Sequence, residues 1–470
     1  MEITLRPYQE QAIKFIAQKK GNAIIKIPCG GGKTIMALYL LKKYPKLGKA
    51  LFITPSSVKH QFAKEYEKVF PEHKIVVLSG KYDPTRIQEI KEANACFINY
   101  DILFIKNEKN ISWSDFFKEA KFRVLVCDES QKIKNTEAKR TQAVLALSRV
   151  IPFKILMSAT PITNNVTDLY SQIKTVDPLF QMSYYSFETK FCPKVKRTFR
   201  IKKKTATGYT YKEKDVWVPG NPTNLDQLNL LTERYMFSVS EKEVYAHLSE
   251  YTHIPVEADI DQSNEVKKLQ QKFIDSTSLI EAQSNLMSLR KAVGLSKIQF
   301  CKEWINDWLD GNKSKIVTFC YHRDVVDILQ KELPGSVKFY GGMSDSAKAE
   351  AVNKFKNDPN CRVIVCNMDT VTGLDGLNTV SNTCVYCEET SSATSAEQSR
   401  GRTRRINSSY DKYFVYHIIG NLIDEVMLSA QDAKAVAALM ATEGKTISEK
   451  DTLEYMIKKM KEHNYEEILV

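Results

Sequence analysis

Residues 28–34 read PCGGGKT and residues 128–131 read DESQ, and these two stretches decide how the rest of the chain is interpreted. The first follows the apolar run 23–27 and has three consecutive glycines before Lys33 and Thr34. Consecutive glycines permit a tight turn in which backbone N–H groups approach an anion, and a helix beginning at Thr34 adds N-terminal N–H groups. The predicted phosphate-binding loop consists of Gly30, Gly31, Gly32, Lys33 and Thr34.

Lys33 and Thr34 have the side chains that such a loop uses on a triphosphate. We expect Lys33 to reach the β and γ phosphates and Thr34 to offer its hydroxyl to Mg²⁺. The first glycine that is usual in this pattern would fall at Ile27, so the general pattern is incomplete.

The second stretch begins where the apolar run RVLVC ends, about 95 residues after the glycine loop. A carboxylate at the end of a buried strand is placed to hold Mg²⁺ through water, which we expect of Asp128. The adjacent Glu129 is placed to orient and deprotonate an attacking water. The two stretches together predict the hydrolysis of a nucleoside triphosphate, with ATP and Mg²⁺ as the expected cofactors.

The surrounding chain alternates strand-like and helix-like segments, which is typical of mostly parallel α/β sheets. A first set of apolar runs lies at 23–27, 50–54, 75–78, 96–99, 124–127 and 154–157, and a second at 315–319, 337–340, 361–366, 383–386 and 413–418. Helical patterns lie between them, for example at 34–43 and 57–69. The prediction is two α/β lobes in tandem: 1–179 and 296–430, with an inserted basic hairpin and helical region at 180–295 and a helical extension at 431–470.

The inserted region contains a strongly basic stretch. Residues 190–214 contain ten Lys or Arg residues and one acid, with Phe and Tyr interleaved. The order 197–203, then 205–208, then 209–212 predicts an exposed hairpin with Gly208 in the turn. Two interpretations stay open: a solvated charged loop, or a surface that contacts a phosphate backbone.

Composition narrows the class of protein. The net charge of +12 favours a polyanionic partner, and no apolar run is long enough to span a bilayer. The N-terminus lacks an apolar signal segment. Ten scattered cysteines suit buried thiols in a reducing intracellular compartment, either cytoplasm or nucleoid or nucleus. Cys384 and Cys387 form a lone CxxC, so two core cysteines and a zinc or redox pair remain the alternatives.

Residues 398–405 read QSRGRTRR, four arginines within eight residues. They are either a basic turn or arginine fingers, whose planar guanidinium groups stabilise charge on a γ-phosphate in the transition state. If they belong to the second lobe, hydrolysis requires the two lobes to close, which couples turnover to movement.

The motifs as a whole resemble superfamily 2 helicases and translocases of the Swi/Snf type over nearly all of residues 1–430. The matching segments are LRPYQ (5–9), PCGGGKT (28–34), ALFITPSSVKHQFAKEY (50–66), INYDIL (98–103), DESQKIKN (128–135), MSATPITNNVTDLYSQI (157–173), KIVTFCYHRDVVDIL (315–329), TVTGLDGLN (370–378), QSRGRTRR (398–405) and HIIGNLIDEVML (417–428). The segments GNPTNLDQLNLLTERYMF (220–237) and SLRKAVGLSKI (288–298) are similar to the HARP-like branch, the annealing helicases and fork remodellers.

This resemblance implies two RecA-like lobes and roles for individual residues. Gln9 would read the adenine, and Arg402 and Arg405 would be the arginine fingers. Nucleic acid would be bound through its backbone, without sequence preference, by Ser56, Ser57, Lys59, His60, Thr370, Thr372 and hairpin residues such as Arg197, Lys202 and Lys203.

The chain departs from the family pattern at three places. Gly373-Leu374 stands where two glycines are usual, Arg405 is followed by Ile-Asn-Ser rather than Ile-Gly-Gln, and residues 158–160 read SAT rather than the usual GT pattern.

Three functions follow from the motifs. The first is an ATP-dependent translocase on double-stranded DNA, and the second is a strand-separating or annealing helicase on branched DNA or bubbles. The third is a catalytically dead nucleic-acid-binding protein, which the presence of Lys33, Asp128 and Glu129 disfavours.

Overall fold

The computed structural model describes residues 4–163, 165–205, 208–220, 222–260, 263–371, 374–405, 408, 410–441 and 455–460. The strands are β1 (Asn22–Lys26), β2 (Ala50–Thr54), β3 (Ile75–Val77), β4 (Ala95–Asn99), β5 (Val124–Asp128), β6 (Phe153–Ser158), β7 (Lys194–Thr205), β8 (Gly208–Pro219), β9 (Met236–Ser238), β10 (Tyr251–Glu257), β11 (Ile316–Cys320), β12 (Val337–Phe339), β13 (Val363–Asn367), β14 (Thr383–Tyr386) and β15 (Tyr413–Ile419).

The α-helices run between and around these strands. They are α1 (Pro7–Gln18), α2 (Lys33–Lys43), α3 (Lys59–Val69), α4 (Ile87–Glu92), α5 (Trp113–Phe117), α6 (Lys139–Ser148), α7 (Asp168–Val176), α8 (Tyr184–Phe191), α9 (Leu225–Tyr235), α10 (Glu241–Val244), α11 (Asn264–Ile274), α12 (Leu279–Ser296), α13 (Ile298–Gly311), α14 (Arg323–Glu332), α15 (Asp345–Asn357), α16 (Ala393–Arg400) and α17 (Leu422–Ala441). Residues 455–460 form a further helical turn.

The chain divides into two compact units, one of Met1–Cys192 with Pro222–Ala246 and one of Pro193–Asn221 with His247–Val470. Each unit has its own parallel sheet, so the predicted α/β class with two sheets in tandem is confirmed. The finer division at residues 179, 295 and 430 stays a prediction.

The first sheet has seven strands in the order β3-β4-β2-β5-β6-β1-β9, all parallel to their neighbours. Strands β2, β4 and β5 are buried along their whole length, as expected when helices cover both faces of a parallel sheet. Because the strands are parallel, the segments that follow β1, β5 and β6 emerge at one edge, which is where α/β proteins bind ligands.

The second sheet has six parallel strands in the order β10-β15-β14-β11-β13-β12. Helix α13 packs on this sheet, and α11, α12 and α17 form a further apolar cluster with Met456 and Met460. Lys297, between α12 and α13, is fully buried, and its ammonium donates to the carboxylate of Asp424 at 2.8 Å. All eleven strands predicted for the two sheets are present, and β9 and β10 are additional.

Strands β7 and β8 form a separate two-stranded antiparallel sheet, which confirms the predicted hairpin. It is longer than predicted, since each strand has twelve residues and Lys194 pairs with Pro219. Thr205 pairs with Gly208, and these are the two end residues of the predicted turn 205–208, so the position of Gly208 at the turn is confirmed.

All ten cysteines are buried free thiols, so the predicted buried thiols are confirmed. Cys384 lies in β14 and Cys387 directly follows that strand, which makes both of them core residues. Within the described ranges, no group of three or more potential ligands is placed to hold a metal ion. In the same part of the chain, no helix is both long enough and apolar enough to cross a bilayer.

Candidate nucleotide-binding site

The glycine loop joins the end of β1 to the start of α2. Gly30 and Gly32 have φ values of 78° and 76°, and Gly32 is the N-cap of α2. Side chains disfavour this left-handed region, so these positions favour glycine. A Cβ at Gly31 would lie 2.4 Å from Cγ2 of Ile27, so the loop has no room for a side chain there either. The loop therefore presents backbone rather than side chains at the N-terminus of α2.

Helix α1 braces this loop through two buried side chains. The Tyr8 hydroxyl donates to the Gly31 carbonyl at 2.9 Å, and Nε2 of Gln9 donates to the same oxygen at 3.1 Å. Oε1 of Gln9 accepts from the backbone N–H of Arg6 at 2.9 Å. A Cβ at Gly32 would lie 2.4 Å from Nε2 of Gln9, so the close approach requires the glycine. The structure thus gives Gln9 a loop-bracing contact, and its predicted contact with adenine stays a prediction.

Lys33 begins α2 with its side chain folded back along the loop. It is 9% exposed, and its ammonium donates to the carbonyls of Ile27 at 3.0 Å and Pro28 at 3.4 Å. An ammonium held by neutral carbonyls exchanges them readily for phosphate oxygens, which carry full charge. Thr34, one residue further along the same first turn, is half-buried.

The acidic pair lies at the end of β5, two strands away from β1 in the sheet. Asp128 is 9% exposed, and the hydroxyl of Tyr100 donates to its backbone carbonyl at 2.8 Å. Burial raises the pKa of Asp128, and the charge of Glu129 adds to this effect while the ammonium of Lys33 opposes it. A cation that binds beside Asp128 would favour the ionised form of this carboxyl group.

Glu129 is held in an unusual backbone conformation by the residues that follow it. Its φ is 51°, and its Oε2 accepts a hydrogen bond from Nε2 of Gln131 at 2.6 Å. Oε1 of Gln131 in turn accepts from the hydroxyl of Ser158 at 2.6 Å, at the end of β6. Ser158 also accepts from the backbone N–H of Thr160 at 2.9 Å. Gln131 therefore ties the carboxylate of Glu129 to the loop after β6.

Tyr8, Tyr100 and Gln131 were not predicted as parts of this site. Gln131 had a signal, since it lies within the quoted DESQ stretch. Tyr8 and Tyr100 lie within the quoted segments 5–9 and 98–103, but each donates to a backbone carbonyl, and the sequence does not show which carbonyl that is.

Arg402 and Arg405 lie after α16 in the second unit and share one acceptor region. Nη1 of Arg402 donates to the Leu374 carbonyl at 3.2 Å and lies 3.5 Å from Oδ1 of Asp375. Arg405 pairs with the same carboxylate oxygen, and its Nη2 lies 3.5 Å from the Leu374 carbonyl. Asp375 thus orients both guanidinium groups, whose role as arginine fingers stays a prediction.

The predicted nucleic-acid contacts are placed differently from one another. Ser56 and His60 are exposed and Ser57 is half-buried, at the start of α3. Lys59 is 5% exposed, and its ammonium donates to the Leu78 carbonyl at 2.5 Å and to the Ser79 hydroxyl at 3.1 Å. The ammonium of Lys59 is thus surrounded by protein acceptors, and its predicted contact with nucleic acid stays a prediction.

The remaining predicted contacts lie in the second unit. Thr370 is half-buried, and its hydroxyl donates to the Asn367 carbonyl at 3.2 Å. Arg197, Lys202 and Lys203 are in β7, where they pair with Val216, Tyr211 and Thr210 of β8. Thr372 lies outside the described residues. Their contacts with nucleic acid stay a prediction.

The residues at the edge of the first sheet fit a magnesium–triphosphate group. A helix N-terminus and the ammonium of Lys33 suit the phosphates, and the hydroxyl of Thr34 with the carboxylate of Asp128 supplies the oxygen ligands that Mg²⁺ prefers. Burial raises the pKa of Asp128, and a cation bound beside it would favour the ionised carboxylate.

The fold and this site define a class of protein, the two-lobed α/β proteins with a phosphate-binding loop and an acidic pair in the first lobe. The SNF2-related domain matches residues 8–307, and the helicase conserved C-terminal domain matches residues 296–407. The chain belongs to the SNF2-related family, whose ATPase core has two RecA-like lobes. The resemblance to Swi/Snf proteins that the motifs predicted is confirmed.

Named relatives cover most of this chain. A Caenorhabditis elegans homologue of SWI/SNF-related matrix-associated actin-dependent regulator of chromatin subfamily A-like protein 1 is 23% identical over 440 residues, covering 90% of this chain and 60% of the relative. The mouse DNA annealing helicase and endonuclease ZRANB3 is 22% identical over 444 residues, covering 92% of this chain and 40% of the relative. This chain therefore spans about half the length of these relatives. The predicted likeness to the annealing-helicase branch is confirmed.

Among solved structures, the Sulfolobus solfataricus SWI2/SNF2 ATPase core in complex with dsDNA matches with a TM-score of 0.44 and 20% identity, covering 98% of this chain and 97% of the other.

Proposed function

We propose that this protein is a DNA-dependent ATPase of the Swi/Snf type, which hydrolyses ATP to move along or remodel double-stranded DNA. The observation that carries the proposal is the arrangement at the edge of the first sheet. There the glycine loop with Lys33 follows β1, Asp128 is the last residue of β5, and Glu129 comes directly after it. These are the groups needed to bind a triphosphate and to activate a water molecule beside it.

In the proposed reaction the residues of this chain have separate tasks. The loop N–H groups and Lys33 hold the phosphates, and Thr34 and Asp128 hold the cation, which neutralises charge on the phosphate oxygens when bound. Glu129 is the proposed general base, fixed by Gln131 at 2.6 Å. Arg402 and Arg405 are the proposed groups that stabilise charge on the transferred phosphoryl group.

DNA is the proposed partner because the net positive charge of the chain favours a polyanion and a relative is named as a DNA annealing helicase. The chain has a net charge of +12, and ten of its basic residues lie within 190–214, around the β7–β8 hairpin. Binding through phosphates predicts little sequence preference and steep weakening with salt. The ten buried free thiols favour a reducing intracellular compartment, cytoplasmic or associated with the chromosome.

A second candidate is a strand-separating or annealing helicase on branched DNA or bubbles. Two observations favour it: the long basic hairpin, and relatives whose name is DNA annealing helicase. Deleting residues 196–212 distinguishes the candidates. A helicase that uses the hairpin as a wedge would lose activity on branched DNA more than basal ATPase, whereas equal loss of both would contradict a wedge role.

The central experiment is the ATPase rate measured with duplex DNA, single-stranded DNA, a fork, a four-way junction and RNA. The proposal predicts strong stimulation by duplex DNA, whereas stimulation by single-stranded RNA alone would reject it. Lys33→Ala should abolish turnover and leave DNA binding mostly intact. Hydrolysis that survives this change would mean that the site is misassigned, and a wild-type protein that binds DNA without any hydrolysis would be the catalytically dead alternative.

A further inference from the structure

One of the segments through which the chain passes between the two units is attached at both ends to residues of the proposed ATPase machinery. We call residues 244–251 the connector, because the chain passes within it from Ala246 of the first unit to His247 of the second, as it also passes between the units at Cys192–Pro193 and Asn221–Pro222. Strand β9 leads into it: β9 pairs with β1 in parallel, and the backbone N–H of Val239 donates to the Lys26 carbonyl at 3.1 Å. The chain therefore approaches the connector alongside the strand that ends in the phosphate loop.

At its first end the connector contacts the phosphate loop. Ser240 and Glu243 form a capping box that starts the short helix α10, which ends at Val244. Val244 and Tyr245 are both buried, and a Cβ at Gly31 would lie 3.4 Å from Cγ1 of Val244. The hydroxyl of Tyr245 donates to the carbonyl of Cys29 in the loop. Two tyrosine hydroxyls thus donate to carbonyls of this loop, that of Tyr8 from α1 to Gly31 and that of Tyr245 from the connector to Cys29.

At its other end the connector contacts the arginine-rich turn after α16. The buried guanidinium of Arg404 donates through Nε to the Ser249 carbonyl at 2.8 Å and through Nη2 to the Leu248 carbonyl at 3.2 Å. The hydroxyl of Tyr251 donates to the Arg400 carbonyl at 2.7 Å. Arg404 therefore binds the connector, while Arg402 on the same turn binds the Leu374 carbonyl.

We propose that the connector is a two-ended clamp in which Tyr245 positions the phosphate loop and Arg404 positions the turn that carries Arg402 and Arg405. Only Ala246 and His247 separate Tyr245 from Leu248, and both are exposed. Because the segment is short and is fixed at both ends, a displacement at one end is transmitted to the other. A displacement of the phosphate loop would therefore change the force on the arginine turn. The clamp rests on the proposed ATPase function and adds two positioning residues to it.

Two conservative comparisons test the clamp in the full-length protein. Tyr245→Phe removes one hydroxyl and keeps the ring. Its matched control is Tyr235→Phe, because Tyr235 is also buried in the first unit and donates to Asp177 at 2.7 Å, outside the phosphate loop. We expect Tyr245→Phe to lower kcat of the duplex-stimulated ATPase about 3- to 10-fold, the size of one hydrogen bond, with KM for ATP within about 2-fold. Tyr235→Phe should leave both constants unchanged, even if both variants lower Tm.

Arg404→Ala has its own control in the second unit. Arg362 also donates to backbone carbonyls, those of Leu309 and Ser314 at 3.0 Å each, so Arg362→Ala removes a comparable set of contacts elsewhere. Arg404→Ala should lower kcat about 10-fold or more, and Arg362→Ala should not. In the double variant Tyr245→Phe/Arg404→Ala, the combined loss should be smaller than the product of the single losses, because either change already releases the clamp.

The outcomes separate the clamp from the proposed function on which it rests. If the wild-type protein shows no DNA-stimulated hydrolysis, the proposed function fails. If it hydrolyses ATP and Tyr245→Phe behaves like Tyr235→Phe, or if the two losses multiply as independent effects, the clamp is overturned and the function stands.

Discussion

Asp128→Asn is expected to make the isolated protein more stable at neutral pH while it abolishes hydrolysis. Burial, with the neighbouring charge of Glu129, raises the pKa of Asp128 from 3.8 to about 7, and Lys33 only partly opposes this. An amide has nearly the shape of the protonated carboxyl group and carries no charge. The substitution therefore removes the cost of ionising a buried group and also removes the proposed Mg²⁺ ligand.

The sign and size follow from linkage. Between pH 3.8 and 7 the unfolded chain has lost the proton of Asp128 while the folded protein keeps it, so the free energy of unfolding falls as pH rises through this range and levels off above pH 7. The difference between the two pKa values, about 7 minus 3.8, corresponds to an upper bound of about 4 kcal/mol. Because the structure relaxes around a new charge, we expect Asp128→Asn to raise the free energy of unfolding by on the order of 2 kcal/mol at pH 8.

The assay is urea unfolding of the wild type and the variant at pH 8 and pH 5, without nucleotide or divalent cation. Asp128→Asn should unfold at a higher urea concentration at pH 8, and its advantage should at least halve at pH 5. Asp101→Asn is the control, because the Asp101 side chain is 67% exposed and should show no such dependence. A variant that is equal to or less stable than the wild type at pH 8 would refute the reasoning.

Three further changes test other contacts. Gln131→Ala removes the hydrogen bond to the carboxylate of Glu129 and should lower kcat about 10-fold with little change in KM. An unchanged kcat would contradict the positioning role of Gln131. Lys59→Met should lower stability by about 1–3 kcal/mol, because buried acceptors lose their donor, and should leave the salt dependence of DNA binding unchanged; His60→Ala, at an exposed position, should leave Tm unchanged. Lys297→Met should cost about 3–5 kcal/mol in chemical unfolding, because the carboxylate of Asp424 is left buried without its partner, and Lys297→Met/Asp424→Asn should recover part of that loss.

The strands that the sequence predicted are those with continuous apolar runs bounded by turn residues. Strands β2, β4, β5, β11 and β14 are buried along their whole length, so such runs carry a strong signal, and the ends of β2 and β14 were predicted to the residue. Strand β9 follows helix α9 with no residue between them, so no turn residue marks where the strand begins. Strand β10 contains Pro255 and is half-exposed, and a sequence of this kind predicts a loop. The strand lies at the edge of its sheet, where proline is tolerated.

The site was predictable wherever its chemistry needs a particular residue type in a fixed order. Gly30–Lys33 and Asp128 are of this kind, and the structure places them at one sheet edge. The burial of individual side chains was not predictable. Nothing near Lys59 in the sequence shows that its ammonium is buried and donates to the Leu78 carbonyl directly after β3. The same holds for Tyr245, because its partner in the phosphate loop is 216 residues away along the chain.

The β7–β8 ribbon has two strands in the described part of the chain, so each strand has one unpaired edge. Open edges of this length are templates for association between copies, and lysine along an edge is a common safeguard against it. Lysines in the sequence of the ribbon that serve the proposed binding of DNA would therefore also oppose pairing between two copies of the ribbon. Replacing them with alanine or valine to weaken DNA binding would invite precipitation, whereas glutamate would reverse the charge and preserve solubility.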